Sequence, residues 1–180
     1  LGKVFLRLHK PGKAADYFEH AVLSSMDDAE AYLGLAEAKL ALGSLVQARQ
    51  HASTAIRSDS DVIGAHLVLA KVDERSGRVS EARKRLTSLL QNQPNSEPVI
   101  ITYAMFLSQR DNINSATDML SRFVDRHPFA AEAGDLLGQL YWQQGQRTSA
   151  LQARAIAAKA FRAMGNDFRA EAILSWLVAN

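Results

Sequence analysis

A 34-residue period governs this chain. The stretch from Ile63 to Ser96 superimposes on Ala29–Val62, Glu97–Ala130 and Ala131–Met164 by successive shifts of 34 residues, and backwards on a partial unit, Leu1–Asp28. Within the reference stretch Leu69-Ala70 sits mid-helix, Gly77 breaks the helix, Ala82 and Leu86 open a second one, and Pro94 stops it. One period is thus one helix–turn–helix unit, which cannot bury its apolar face alone and must stack on its neighbours.

Columns read at this spacing say how the units nest. Gly2, Ala36, Ala70, Ala104 and Gly138 form one column, and Ala14, Ala48, Ala82, Ala116 and Ala150 another. Side chains this small let the two helices of a hairpin approach closely, so these are the expected contact points. Larger apolar columns run beside them: Leu1, Leu35, Leu69, Tyr103, Leu137; Ala21, Ala55, Leu89, Phe123, Ala157; and Phe18, Ala52, Leu86, Leu120, which Arg154 interrupts. Together they predict one continuous core stripe.

Punctuation follows the same period. Gly43, Gly77 and Gly145 fall at the turn inside each hairpin, where a left-handed residue ends a helix. His9 and Asp111 occupy that column in the other units, with Gly12 and Asn112 expected to serve instead. Pro94 and Pro128 close second helices, while Met26 and Ser60 stand at the matching positions. Asp28, Asp61 and Ser96 are placed to cap the helices that follow. Near the end, Gly145 and Gly165 are only twenty residues apart, so Arg147 to Met164 reads as one helix and Phe168 to about Val178 as another, with Phe168, Ala172, Ile173, Trp176 and Leu177 on its apolar face.

These residues resemble the tetratricopeptide repeat signature, in which a Leu-Gly pair, an aromatic three residues on, an Ala-x-x-x-Phe step and a closing proline recur. The matches are Leu1-Gly2 with Phe5, Leu137-Gly138 with Tyr141, Ala14 through Phe18, and Pro94 and Pro128. The aromatic column departs from the pattern at Lys39, Asp73 and Leu107. The resemblance implies an all-α, right-handed superhelix of antiparallel hairpins with about eleven helices: tandem repeats over residues 1–164, the first truncated, and a capping helix over 165–180. Leu1 to Leu8 would then be the second part of a helix whose start is cut away. Val4, Phe5 and Leu8 are accordingly expected to be partly exposed, or paired with another copy of the chain in a crystal or homo-oligomer.

Composition narrows the chemistry. With 47% hydrophobic and 22% charged residues the chain can build a core and is not of the disordered class. It has no cysteine, which excludes disulfides, thiolate zinc sites and cysteine nucleophiles. No apolar run approaches the roughly 20 residues that span a bilayer. His9, His20, His51, His66 and His127 are dispersed, none in a metal-binding pair, and His66 reads as a partly packed aromatic. Asp27-Asp28, Asp73-Glu74 and Asp59 with Asp61 read as acids at helix ends or on solvated faces. These patterns point to no catalytic residue, no metal and no cofactor.

Lys71, Arg75, Arg78, Arg83, Lys84 and Arg85 cluster near one turn, but Asp73, Glu74 and Glu81 interleave with them and no aromatic platform accompanies them. A solvated face is the expected reading, and nucleic acid is disfavoured as a partner.

The resemblance also implies that first helices line a concave groove. Its rows are Leu33, Leu67, Ile101, Asp135; Lys3, Glu37, Lys71, Met105, Gln139; and Leu6, Leu40, Glu74, Ser108, Trp142. Leu33, Leu67, Ile101, Met105 and Trp142 are the expected apolar contacts for a partner peptide or protein, with Glu37, Lys71 and Gln139 orienting it. The family's carboxylate clamp would require asparagine and further cations in these rows, which are missing. The asparagine ladder of glycosyltransferase superhelices is replaced by Gly34, Val68, Thr102 and Leu136. The expected role is a non-catalytic interaction scaffold without a small-molecule substrate, within a bacterial assembly of the secretion, polysaccharide-export or pilus type in cytoplasm or periplasm. The alternatives are a regulatory or targeting arm of a larger enzyme and, behind it, polyanion binding.

Overall fold

The computed structural model describes residues 1–25, 27–110 and 112–179, which leaves Met26 and Asp111, two positions of the punctuation pattern, outside the described residues. Among the described residues every regular element is a helix. In chain order they are α1 (Gly2–Arg7), α2 (Pro11–Ser24), α3 (Ala29–Ala41), α4 (Leu45–Ser58), α5 (Ile63–Arg75), α6 (Val79–Asn92), α7 (Glu97–Ser108), α8 (Ile113–Arg126), α9 (Ala131–Gln143), α10 (Arg147–Ala163) and α11 (Asp167–Ala179). The chain divides into two compact units, Leu1–Gln91 and Asn92–Asn180.

In both units the small columns are the places where helices meet. Ala14, Ala48, Ala82, Ala116 and Ala150 are wholly inaccessible to solvent. Gly2 and Gly138 are buried too. A Cβ added to Gly2 would lie 2.7 Å from the Phe18 ring, and one on Gly138 would lie 2.3 Å from Arg154 Cγ. Leu35, Leu69, Leu137, Leu86 and Leu120 fill the space beside them. Leu1 does not join its column, being 81% exposed. Val4 and Leu8 are exposed, and Phe5 is partly exposed, with its ring against that of Tyr17 at 5.3 Å.

Each hairpin turns by the same hydrogen bonds. Gly43, Gly77 and Gly145 have φ of 77°, 78° and 75°. The next residue then donates back over the turn: Ser44 N–H to Lys39 O, Arg78 N–H to Asp73 O and Gln146 N–H to Tyr141 O, all within 2.9 Å. That bond satisfies a carbonyl the helix end would otherwise leave bare. In the first hairpin His9 itself adopts the left-handed conformation, with φ of 53°. Gly12, expected to serve there, lies inside α2 instead. Asn112 closes the fourth turn, donating to Leu107 O at 3.3 Å.

Capping is less regular than the sequence suggests. Asp28 accepts from Ala31 N–H at 3.0 Å. Asp61 does not cap α5, which starts after Val62; its own N–H donates to Asp59 Oδ1. Ser96 holds the cap position of α7 without a side-chain bond. Its neighbour Glu97 instead reaches from α7 to α9, where its carboxylate accepts from Ala133 N–H at 2.9 Å.

The last two helices vary the theme. α10 has 17 residues against 14 in α2, α4, α6 and α8. It turns into α11 through Gly165, φ 73°, with Asn166 N–H bonded to Phe161 O at 2.8 Å. The connection between repeats thus takes the form used elsewhere inside hairpins. Ala170 and Ile173, both buried, follow Gly134 and Leu137 of α9 by 36 residues, so α11 resumes the first-helix pattern two residues late.

Candidate functional site

In the first unit, α3 and α5 pack side by side and present the expected contacts in pairs. Leu33 is half-buried on α3, seated where Gly64 of α5 has no side chain, since a Cβ there would meet its Cδ2 at 2.7 Å. Leu67 is buried, 7% exposed, so it supports the surface from below rather than lining it. Glu37 and Lys71 are half-buried on adjacent helices. Burial pushes the Glu37 carboxyl above its ordinary range, against the attraction of Lys71 and Lys3. Burial likewise pulls the Lys71 ammonium down, against Glu37. Their charges are thus held in a poorly hydrated place, where an incoming charge is felt strongly.

In the second unit α7 packs on α9. Met105 is 40% exposed and Ile101 half-buried on α7; Gln139 is exposed and Trp142 half-buried on α9. Asp135, which holds the place of Leu33 and Leu67, is buried. It accepts from Arg154 Nε at 2.9 Å and Gln139 Nε2 at 3.1 Å, and Arg169 Nη2 lies 3.7 Å away. Arg154 lies 3.9 Å from the centre of the Trp176 ring, which meets Trp142 edge-on at 4.9 Å. Gln139 and Trp142 are therefore fixed by partners within this unit. Repeat spacing alone does not mark Arg154, Arg169 and Trp176 as part of this surface. The available signal was that two polar exceptions, Asp135 and Arg154, fall in apolar columns of the same repeat.

The expected solvated face around α5 and α6 is differently built. Asp73 is not a surface acid but is 2% exposed, and it collects Arg49, Arg78 and Arg85. Arg75 donates to Leu40 O at 2.9 Å. No group of three or more potential metal-ligating side chains occurs among the described residues, and no helix there is long and apolar enough to cross a membrane.

Hairpins of paired helices on buried alanine seams, joined at left-handed turns, define a helical repeat protein. A tetratricopeptide repeat family model matches residues 1–63, and a FAT domain model matches residues 41–175. A tetratricopeptide repeat protein of Thermus thermophilus aligns over 100% of this chain and 96% of its own, at 21% identity and a TM-score of 0.77. One from Parabacteroides merdae aligns over 99% and 75%, at 13% identity and 0.64. YrrB, described as a tetratricopeptide repeat protein with an unusual peptide-binding site, aligns over 97% and 88%, at 16% identity and 0.54. No curated protein sequence matches at a significant level. The FAT domain match spans most of the chain, which therefore belongs to that family, while residues 1–63 carry a tetratricopeptide repeat match and the fold is that of tetratricopeptide repeat proteins.

Proposed function

We propose that this chain is a non-catalytic scaffold that holds a peptide or protein partner against its first helices. Each unit offers its own contacts: Leu33, Glu37 and Lys71 in the first, with Leu67 beneath them, and Ile101, Met105, Gln139 and Trp142 in the second. The observation that carries this reading is Met105, a large apolar side chain 40% exposed on a helix whose other faces are packed. It lies beside the half-buried Ile101 and is on the same unit as a tryptophan held by its neighbours. Side chains already fixed by packing lose little freedom when a peptide docks. The peptide-binding site named for YrrB is consistent with this use of the fold, and a setting in a bacterial assembly of the secretion, polysaccharide-export or pilus type is an analogy at the level of fold.

Peptides selected from a random display library against the intact chain test the reading. Met105→Asp is expected to weaken their binding roughly tenfold or more, while Lys84→Gln, on α6, leaves it unchanged. Selected peptides that bind both variants as they bind the parent chain would place the surface elsewhere.

A further inference from the structure

Apart from Lys71, the cations around α5 and α6 take no part in that surface, and the fold gathers three arginines on one carboxylate. Residues 45–92 contain eight Arg and Lys against five Asp and Glu, a net charge of +3, whereas the whole chain nets +2. The positive excess of the protein therefore lies in this stretch. Its centre is Asp73, almost wholly buried at the end of α5. Arg78 Nε reaches Asp73 Oδ1 at 3.1 Å, Arg85 Nε reaches Oδ2 at 3.4 Å, and Arg49 brings its Nη2 to Oδ1 from α4. The neighbouring cations are engaged elsewhere, Lys71 facing Glu37 and Arg75 on the Leu40 carbonyl.

Three guanidiniums and one carboxylate give these four groups a net charge of +2. Glu81, four residues before Arg85 on α6, tempers this surplus from the same helix. The arginine side chains are 35%, 46% and 31% exposed for Arg49, Arg78 and Arg85. Arg78 and Arg85 use their Nε–H on Asp73, so their terminal amino groups remain for an outside acceptor. The buried carboxylate thus overcomes the mutual repulsion of three cations and fixes their directions before any ligand arrives.

We infer that this cluster binds a phosphate monoester on a serine, threonine or tyrosine of a partner polypeptide. Such a group carries about −1.5 to −2 charges near neutral pH, opposite in sign to the local surplus, and guanidinium forks fit its oxygens. A nucleic-acid backbone calls instead for a stripe of cations and for stacking platforms. Here the cations converge on one carboxylate, and residues 45–92 contain no Phe, Tyr or Trp.

The test is a titration of the intact chain at low salt with a short neutral peptide carrying one phosphoserine, its unphosphorylated twin, inorganic phosphate and a single-stranded oligonucleotide. Binding is read from the arginine Nε–H resonances. The phosphopeptide and inorganic phosphate are expected to move the Arg78 and Arg85 signals, and the twin to leave them in place. Arg78→Gln should weaken phosphopeptide binding roughly tenfold, whereas Lys84→Gln, which removes the same charge from the same hairpin, should change it less than about twofold. Arg78→Lys keeps the charge, guards against loss of fold, and should lose most of the affinity because the fork is gone. Equal weakening by Arg78→Gln and Lys84→Gln would reduce the site to diffuse charge. Equal binding of the twin, or tighter binding of the oligonucleotide, would overturn it as well. None of these readings depends on Met105, so the two proposals fail separately.

Discussion

Asp73 and Asp135 invite comparison. Each sits on the first helix of a hairpin at a position where most other repeats carry apolar side chains, and each is answered by an arginine from the second helix of its own hairpin, Arg85 on α6 and Arg154 on α10. The surroundings then diverge. Arg154 is 13% exposed, stacked on Trp176 and packed by its stem into the space Gly138 leaves, so that ion pair is sealed inside the second unit. The arginines around Asp73 keep a third to nearly half of their side chains in water. The same chemical device can therefore close a core or hold charge ready at a surface, and the aromatic lid decides which.

The largest expected effect breaks this comparison if it fails. Asp135→Ala leaves Arg154 charged and enclosed, and should lower unfolding free energy by about 3–5 kcal/mol; Asp73→Ala lets its arginines turn outward and should cost about 1–3 kcal/mol. Denaturant melts of the two variants decide it, and equal losses would mean that Trp176 seals nothing. A smaller effect concerns acid. Burial raises the Asp73 carboxyl, but hydrogen bonds from Arg49 and Arg78 and the charge of Arg85 outweigh it and hold the group below its ordinary 3.8. Its stabilising contribution is therefore present above that pH and fades as pH falls through the lowered value. Melts below pH 4 should show a loss that Asp73→Asn does not share.

The smallest effect belongs to the first unit alone. His51, half-buried and 6.3 Å from the Tyr32 ring, has its pKa lowered by burial and by Lys39, with Glu19 opposing. The folded state thus favours the neutral ring, and stability should decline gently as pH falls below 6.5. His51→Gln should flatten that slope; an unchanged slope would remove His51 from the account.

Much of the architecture was legible because close packing tolerates few side chains at a helix crossing. The alanine column could be read directly, since any larger residue at Ala48 or Ala116 would hold two helices apart. The turn at His9 was less legible, because a non-glycine residue can accept a left-handed conformation when its neighbours' hydrogen bonds demand it. Asp73 and Asp135 appeared as mere departures from columns. Their meaning depends on arginines up to 34 residues distant, and burial of a charge is readable only once its counter-charges are placed. The exposed contacts were legible only as positions on a face: spacing located Leu67 and Met105 alike, and only packing made one a support and the other a surface.

Glu97 carries a last consequence. Because the opening turn of α9 borrows an acceptor from α7, neither helix can fray in isolation: loosening α7 strands the Ala133 amide, and pulling α9 away strands the Glu97 carboxylate. Adjoining repeats are spliced by a polar stitch as well as by greasy contact, and cooperativity between them has an address.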